Sequence, residues 1–138
     1  MSMSLFVVLA LEMEPNIHQL NEVASTSGYE LSLSESIEIN SHSGFLPATL
    51  NGQDTGFELY SFPVSEAPEQ LKNIIPVNLQ NGNIYQLSFG YKSHEAQAAF
   101  ATAMNMNIKY NGVTIEDQAG TLLSVEQLKV AMASFGEI

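Results

Sequence analysis

Phe45-Leu-Pro-Ala-Thr-Leu50, Asn51-Gly-Gln-Asp-Thr-Gly56 and Phe57-Glu-Leu-Tyr-Ser-Phe62 are the stretches that decide how this chain folds. Two apolar-rich segments flank a polar one that contains Asn-Gly and a second glycine. Asn-Gly favours a chain reversal because both residues tolerate positive φ at little cost. The spacing predicts a β-hairpin with a slightly long loop over residues 51–56.

Upstream, Leu5–Leu11 is a continuous apolar run rich in Val, Leu and Phe. Such a run suits a strand buried on both faces. Pro15 fits the first turn of a helix. Ile17, Leu20, Val23 and Ala24 follow at helical spacing, and Gly28 is the expected stop. This predicts a helix over 15–27. Tyr29, Leu31 and Leu33 alternate with polar residues, as do Ile37 and Ile39, which predicts one or two strands.

Downstream, residues 63–78 hold three prolines and two short acidic clusters. They read as a surface connection with one short helix near 67–73. Asn81-Gly82 marks a turn, and Ile84–Tyr91 a strand. Ser93 is the expected N-cap of a helix whose apolar stripe is Ala96, Ala99, Phe100, Ala103 and Met104. Asn111-Gly112 ends that helix. Val113–Ile115 is a short strand, followed by a turn at Asp117–Gly120. Ser124 and Gln127 fit a capping box that opens a last helix, and Gly136 lies just past it.

A chain of 138 residues makes about one domain. The order predicts a single α+β domain. It should be a two-layer sandwich of mostly antiparallel or mixed sheet, with about three helices packed on it.

The first eleven residues lack a basic start and meet Glu12 and Glu14 directly, so they read as a strand and not as a secretory signal. No run approaches the ~18 apolar residues of a membrane span. With no cysteine in the chain, disulfides, thiolate metal sites and thiol nucleophiles are excluded. A cytoplasmic location is expected.

Chemistry-bearing motifs are missing. His18, His42 and His94 have no His or Cys neighbour at metal-ligand spacing. No nucleophile elbow, phosphate loop or EF-hand loop occurs. Carboxylate pairs are numerous, and pairing alone identifies no glycosidase-type site. The expectation is a protein that is not an enzyme and needs no cofactor and no metal.

Charge is the most informative bulk property. Residues 1–71 contain ten acids and no Lys or Arg, whereas 72–138 contain five acids and four lysines. Such a surface repels nucleic acid and anionic lipid. It steers a basic partner toward itself.

Ser43-Gly-Phe-Leu-Pro47 followed by Thr55-Gly-Phe-Glu-Leu-Tyr60 resembles a segment of small bacterial immunity proteins. These accompany secreted polymorphic toxins, including contact-dependent growth inhibition systems. The likeness extends over roughly 40–130, through Tyr85-Gln-Leu-Ser-Phe89, the Ala-rich helix and Glu116-Asp-Gln-Ala-Gly120. The resemblance implies a cytoplasmic antidote that binds one cognate protein toxin and blocks it.

A basic toxin domain, such as a nuclease, would meet the acidic hairpin and the connection after it. Asp54, Glu58, Glu66 and Glu69 are the candidate contacts. Glu12 and Glu14 join them if the fold brings that edge near. Charge supplies steering, and affinity needs an aromatic anchor. Tyr60 and Phe62 are the candidates, one of which is expected to face the core. Two other readings stand beside this one: an acidic mimic of nucleic acid that occupies a DNA- or RNA-binding protein, and a small ligand-binding domain.

Overall fold

The first strand explains its own composition. It runs over Met3–Leu9 (β1) and is hydrogen-bonded on both sides, with apolar neighbours above and below. Leu5, Val7 and Leu9 face one core, and Val8 faces another. A computed structural model describes residues 3–25, 30–90, 92–118 and 120–135. The expected helix stops at Gly28 and Gly136, and the expected strand positions Tyr29 and Tyr91, lie outside these residues.

After β1 come α1 (Ile17–Ala24), β2 (Leu31–Leu33), β3 (Gly44–Leu50) and β4 (Gln53–Pro63). The connection 64–79 contains the short α2 (Glu69–Lys72) between two single 3₁₀ turns. Then follow β5 (Asn83–Phe89), α3 (Ser93–Tyr110), β6 (Val113–Glu116), β7 (Thr121–Leu123) and α4 (Val125–Ala133). Among the described residues the seven strands form one sheet in the order β2-β3-β4-β5-β1-β6-β7. Every pairing in it is antiparallel. This is an α+β sandwich.

α1, α3 and α4 cover one face. They pack on Leu46, Leu50, Phe57, Leu59, Leu87 and their neighbours, the inward set of each strand. α3 lies at the centre of that layer, and Ala96–Asn107 is buried throughout. Small side chains let this helix sit against the sheet while α1 and α4 flank it. Met104 and Met106 fill core volume here.

The opposite face carries a second core, which the sequence reading did not anticipate. Val64, Ala67, Leu71, Ile75 and Leu79 of the connection fold back over Val8, Ile84 and Ile115. The connection is therefore a lid on half of the sheet and not a plain surface loop. Prolines 63, 68 and 76 break it into short turns, so its apolar residues never reach a helical period long enough to read.

Several boundaries shift for identifiable reasons. α1 begins at Ile17 because Asn16 caps it, its Oδ1 accepting from the Gln19 N–H at 2.8 Å. Pro15 stands before that cap. The β3–β4 loop is only Asn51-Gly52, with φ of 50° and 83°, so Gln53–Gly56 is strand. Ile37 and Ile39 form no strand; Ile39 is buried from within a turn. Ser93 is the first residue of α3 and Lys92 holds the cap position without a side-chain bond. Glu95 reaches back instead, accepting from the Gly90 N–H at 3.3 Å. The Asp117–Gly120 turn leads into β7, an exposed three-residue edge strand too short to show alternation. The Ser124–Gln127 capping box is present, with bonds of 3.1 and 2.8 Å.

Two side chains tie the layers together. Tyr110 Oη accepts from the Asn16 N–H at 3.1 Å and donates to Gln19 Oε1 at 2.7 Å, joining the end of α3 to the start of α1. The Asn21 carboxamide accepts from the Leu33 N–H at 2.8 Å and donates to the Leu33 carbonyl at 3.0 Å. Asn21 thus stands where a further strand would be.

Candidate partner-binding face

The half of the sheet that the connection leaves open is built from β2 to β5 and the start of β1. Alternation places Ser32, Phe45, Pro47, Thr49, Asp54, Glu58 and Tyr60 on it, because their neighbours Leu46, Ala48, Phe57 and Leu59 point into the helix layer. Register then aligns them in rows. Phe45, Glu58, Ser88 and Ser4 lie side by side across β3, β4, β5 and β1. Tyr60, Gln86, Phe6 and Ile115 form the next row across β4, β5, β1 and β6.

Phe45 is 54% exposed although large and apolar. Its ring lies across Gly56, where a Cβ would overlap both the ring and the Leu46 carbonyl oxygen. Gly56 also has φ of +155°, which side-chain-bearing residues rarely adopt. The glycine thus makes the seat for the phenyl ring. Pro47 and Thr49 extend the patch, and an open groove of about 470 Å³ runs along Ser32, Phe45, Pro47, Thr49 and Asp54.

Charge on this face has one sign. None of the seven strands contains a Lys or Arg. Tyr60 donates a short hydrogen bond to Glu58. That bond, with smaller contributions from burial and the negative charge of Glu58, holds the Tyr60 phenol above its usual value. Ser4, Ser88 and Gln86 make a polar cluster beside the pair. The serine hydroxyls are 2.7 Å apart, and Gln86 Nε2 donates to them at 3.2 and 3.3 Å.

The structure therefore brings Asp54, Glu58 and Tyr60 onto one face. Glu66 and Glu69 are exposed on the connection that covers the other half of that face; Glu69 lies 3.8 Å from the Lys72 ammonium. Glu12 and Glu14 are exposed in the segment between β1 and α1. Glu14 lines a cleft at the end of the sheet with Asn40, Phe62, Asn83 and Tyr85, so it lies nearer the strand face than Glu12. Tyr60 and Phe62, two residues apart, share one face; Phe62 is partly covered because the connection folds onto it.

Phe45 was not singled out from the sequence. The signal was present: an Asn51-Gly52 two-residue loop sets Leu50 opposite Gln53, which puts Phe45 opposite Glu58.

His42 and His18 have local roles. His42 Nε2 donates to the Gly44 and Phe45 carbonyls at 3.0 and 2.8 Å, pinning the start of β3. His18 lies 3.0 Å from Glu22 and 3.5 Å from Glu35 on an exposed flank of α1. Among the described residues no three His, Asp or Glu side chains converge as metal ligands, and no helix is long and apolar enough to cross a membrane.

Comparison with family models, curated proteins and solved structures found no match.

Proposed function

We propose that this chain is a stoichiometric, non-catalytic inhibitor: a cytoplasmic immunity protein whose open sheet face docks on a basic domain of a cognate protein toxin. One observation carries the reading. An exposed aromatic, Phe45, stands in one cross-strand row with Glu58, on the same face as Tyr60 and Asp54, on a sheet without a basic residue. Carboxylates in such a setting speed encounter with a cationic surface, and a desolvated aromatic supplies hold. A standard interface needs ~800 Å² per partner. An open face four strands wide, with the acidic connection beside it, suits that scale.

Carboxylates elsewhere sit on scattered loops and helix flanks, including Glu22, Glu35, Glu38 and Glu126. That spread supports one docking face more than a continuous phosphate-like row. The resemblance to immunity proteins over residues 40–130 supplies the class of partner.

The test is co-expression with the toxin domain encoded beside the gene. Protection of growth and a 1:1 complex on gel filtration are expected, with protection reduced by Phe45→Ala combined with Glu58→Gln. Unprotected cells, and no complex in low salt, would sink the reading.

A further inference from the structure

We infer that Asn51 is a site of spontaneous covalent modification: of the three Asn-Gly pairs in the chain, at 51–52, 81–82 and 111–112, it is the one that the fold leaves open to intramolecular deamidation. The inference is independent of the function proposed above. The chemistry is the same at each pair. The backbone nitrogen of the glycine, on losing its proton to solvent base, attacks Cγ of the asparagine side chain. A succinimide ring closes, the bond from Cγ to the side-chain nitrogen breaks, and ammonia leaves. Water then opens the ring at one of its two carbonyls, giving aspartate or its β-linked isomer. Glycine permits this best because no Cβ blocks the approach and the backbone turns freely.

What surrounds the attacking nitrogen differs among the sites. At 81–82 it is engaged: Gly82 is buried and its N–H donates to the Leu79 carbonyl at 3.0 Å. At 111–112 it is hemmed in. Gly112 is half-buried against β1, where a Cβ would overlap the Val8 carbonyl oxygen and the Leu9 side chain. Asn111 is itself fixed as the cap of α3, its N–H donating to the Asn107 carbonyl at 2.9 Å. At 51–52 both residues are exposed. A Cβ built on Gly52 would meet nothing within 4 Å. The Gly52 N–H has no hydrogen-bond partner among the described residues.

The carbonyl under attack is also polarised. Asn51 Oδ1 accepts from the Glu30 N–H at 3.0 Å. Negative charge builds on that oxygen as the nitrogen adds to Cγ, and a fixed donor there stabilises it. The two products have different fates. Aspartate keeps an acceptor for Glu30 and tolerates the left-handed φ of 50° at this position, so the hairpin persists. It then carries one more negative charge, three residues before Asp54. The β-linked isomer inserts the side-chain carbon into the main chain, and the two-residue loop can no longer hold Leu50 opposite Gln53. One product makes the hairpin tip more acidic, and the other loosens it.

The experiment incubates the full chain at mildly alkaline pH, folded and, in parallel, unfolded in urea, and follows deamidation by mass spectrometry. Cleavage after glutamate places the three sites in separate peptides, 39–58, 70–95 and 96–116. In urea all three should convert at similar rates. In the folded chain Asn51 should keep most of its unfolded rate, whereas Asn81 and Asn111 should slow at least several-fold. An isoaspartyl methyltransferase should label the folded chain's product in peptide 39–58 first. Asn51→Asp, which reproduces the aspartyl product, should stay folded and elute later from an anion exchanger. A folded chain in which Asn51 is protected as strongly as the other two, or in which either of them converts faster, overturns the assignment. An unfolded Asn51→Asp overturns the fate given to the aspartyl product.

Discussion

The Phe45 ring lies across Gly56, on the strand opposite, where any Cβ would overlap both the ring and the Leu46 carbonyl oxygen. A single missing side chain thus sets the shape of the most exposed aromatic site on the sheet. Gly56→Ala meets backbone, which cannot move aside like a flexible side chain, and it adds an unfavourable φ. It should cost about 2–4 kcal/mol, in the upper range for single substitutions. Removing the ring does not relieve the carbonyl overlap, so Gly56→Ala with Phe45→Ala should stay destabilised. Urea unfolding of the three variants checks this.

Phe45→Ala alone should be mild in stability, below about 1 kcal/mol, because cross-strand contacts of a half-exposed ring carry no more. Its effect belongs to the proposed complex. Dissociation from the partner should quicken by about tenfold or more if the ring is a central anchor. Surface plasmon resonance separates the two rates.

Asp54→Asn and Glu58→Gln should act on the other rate. Each should lower association about two- to threefold at low salt and leave dissociation nearly unchanged, as expected of steering charges. The differences should vanish as ionic strength rises and the Debye length shrinks.

Alkaline pH probes the core. Burial, with smaller contributions from Tyr110 and Glu14, pushes Tyr85 up from 10.0 to about 12. The unfolded chain therefore releases that proton first, and unfolding becomes proton-releasing between those values. Stability should hold below about pH 10 and fall by about 2–3 kcal/mol on approaching pH 12. Tyr110 is raised too, chiefly by burial, and acts in the same direction. Tyr85→Phe should flatten the profile, while losing the 2.8 Å bond to Asn40. Denaturation midpoints measured across this range, with tyrosinate absorbance, report both.

Asn21→Ala removes the partner of both backbone groups of Leu33. The cost should be about 1–2 kcal/mol, since these groups are only partly sheltered from water. Hydrogen exchange at the Leu33 amide should accelerate more than at Leu46 or Leu59.

Much of the fold was legible because it rests on local rules. The run from Leu5, the Asn51-Gly52 reversal, the helix stop at Asn111 and the Ser124 capping box each involve residues within one turn of each other. What escaped depends on distant pairing. Ile37 and Ile39 alternate like a strand, yet one plugs the core from a turn. Thr121–Leu123 is too short for alternation to show. The connection reads as surface because prolines interrupt it, although its apolar residues close a second core. At the site, Asp54, Glu58 and Tyr60 share a face by simple parity. The row of Tyr60, Gln86, Phe6 and Ile115 draws on four strands, and only the sheet order brings them together.

That order has a consequence for synthesis. β1 is made first, yet its neighbours are β5 and β6, with Met3 opposite Phe89 and Leu5 opposite Glu116. While the ribosome extends the chain, the β3–β4 hairpin can close within its own residues. β1 must wait as an unpaired apolar segment until most of the polypeptide has emerged. Closing such long loops slows folding relative to local contacts. The nascent chain thus passes through a stage in which its most hydrophobic strand is open to chaperones and to other chains.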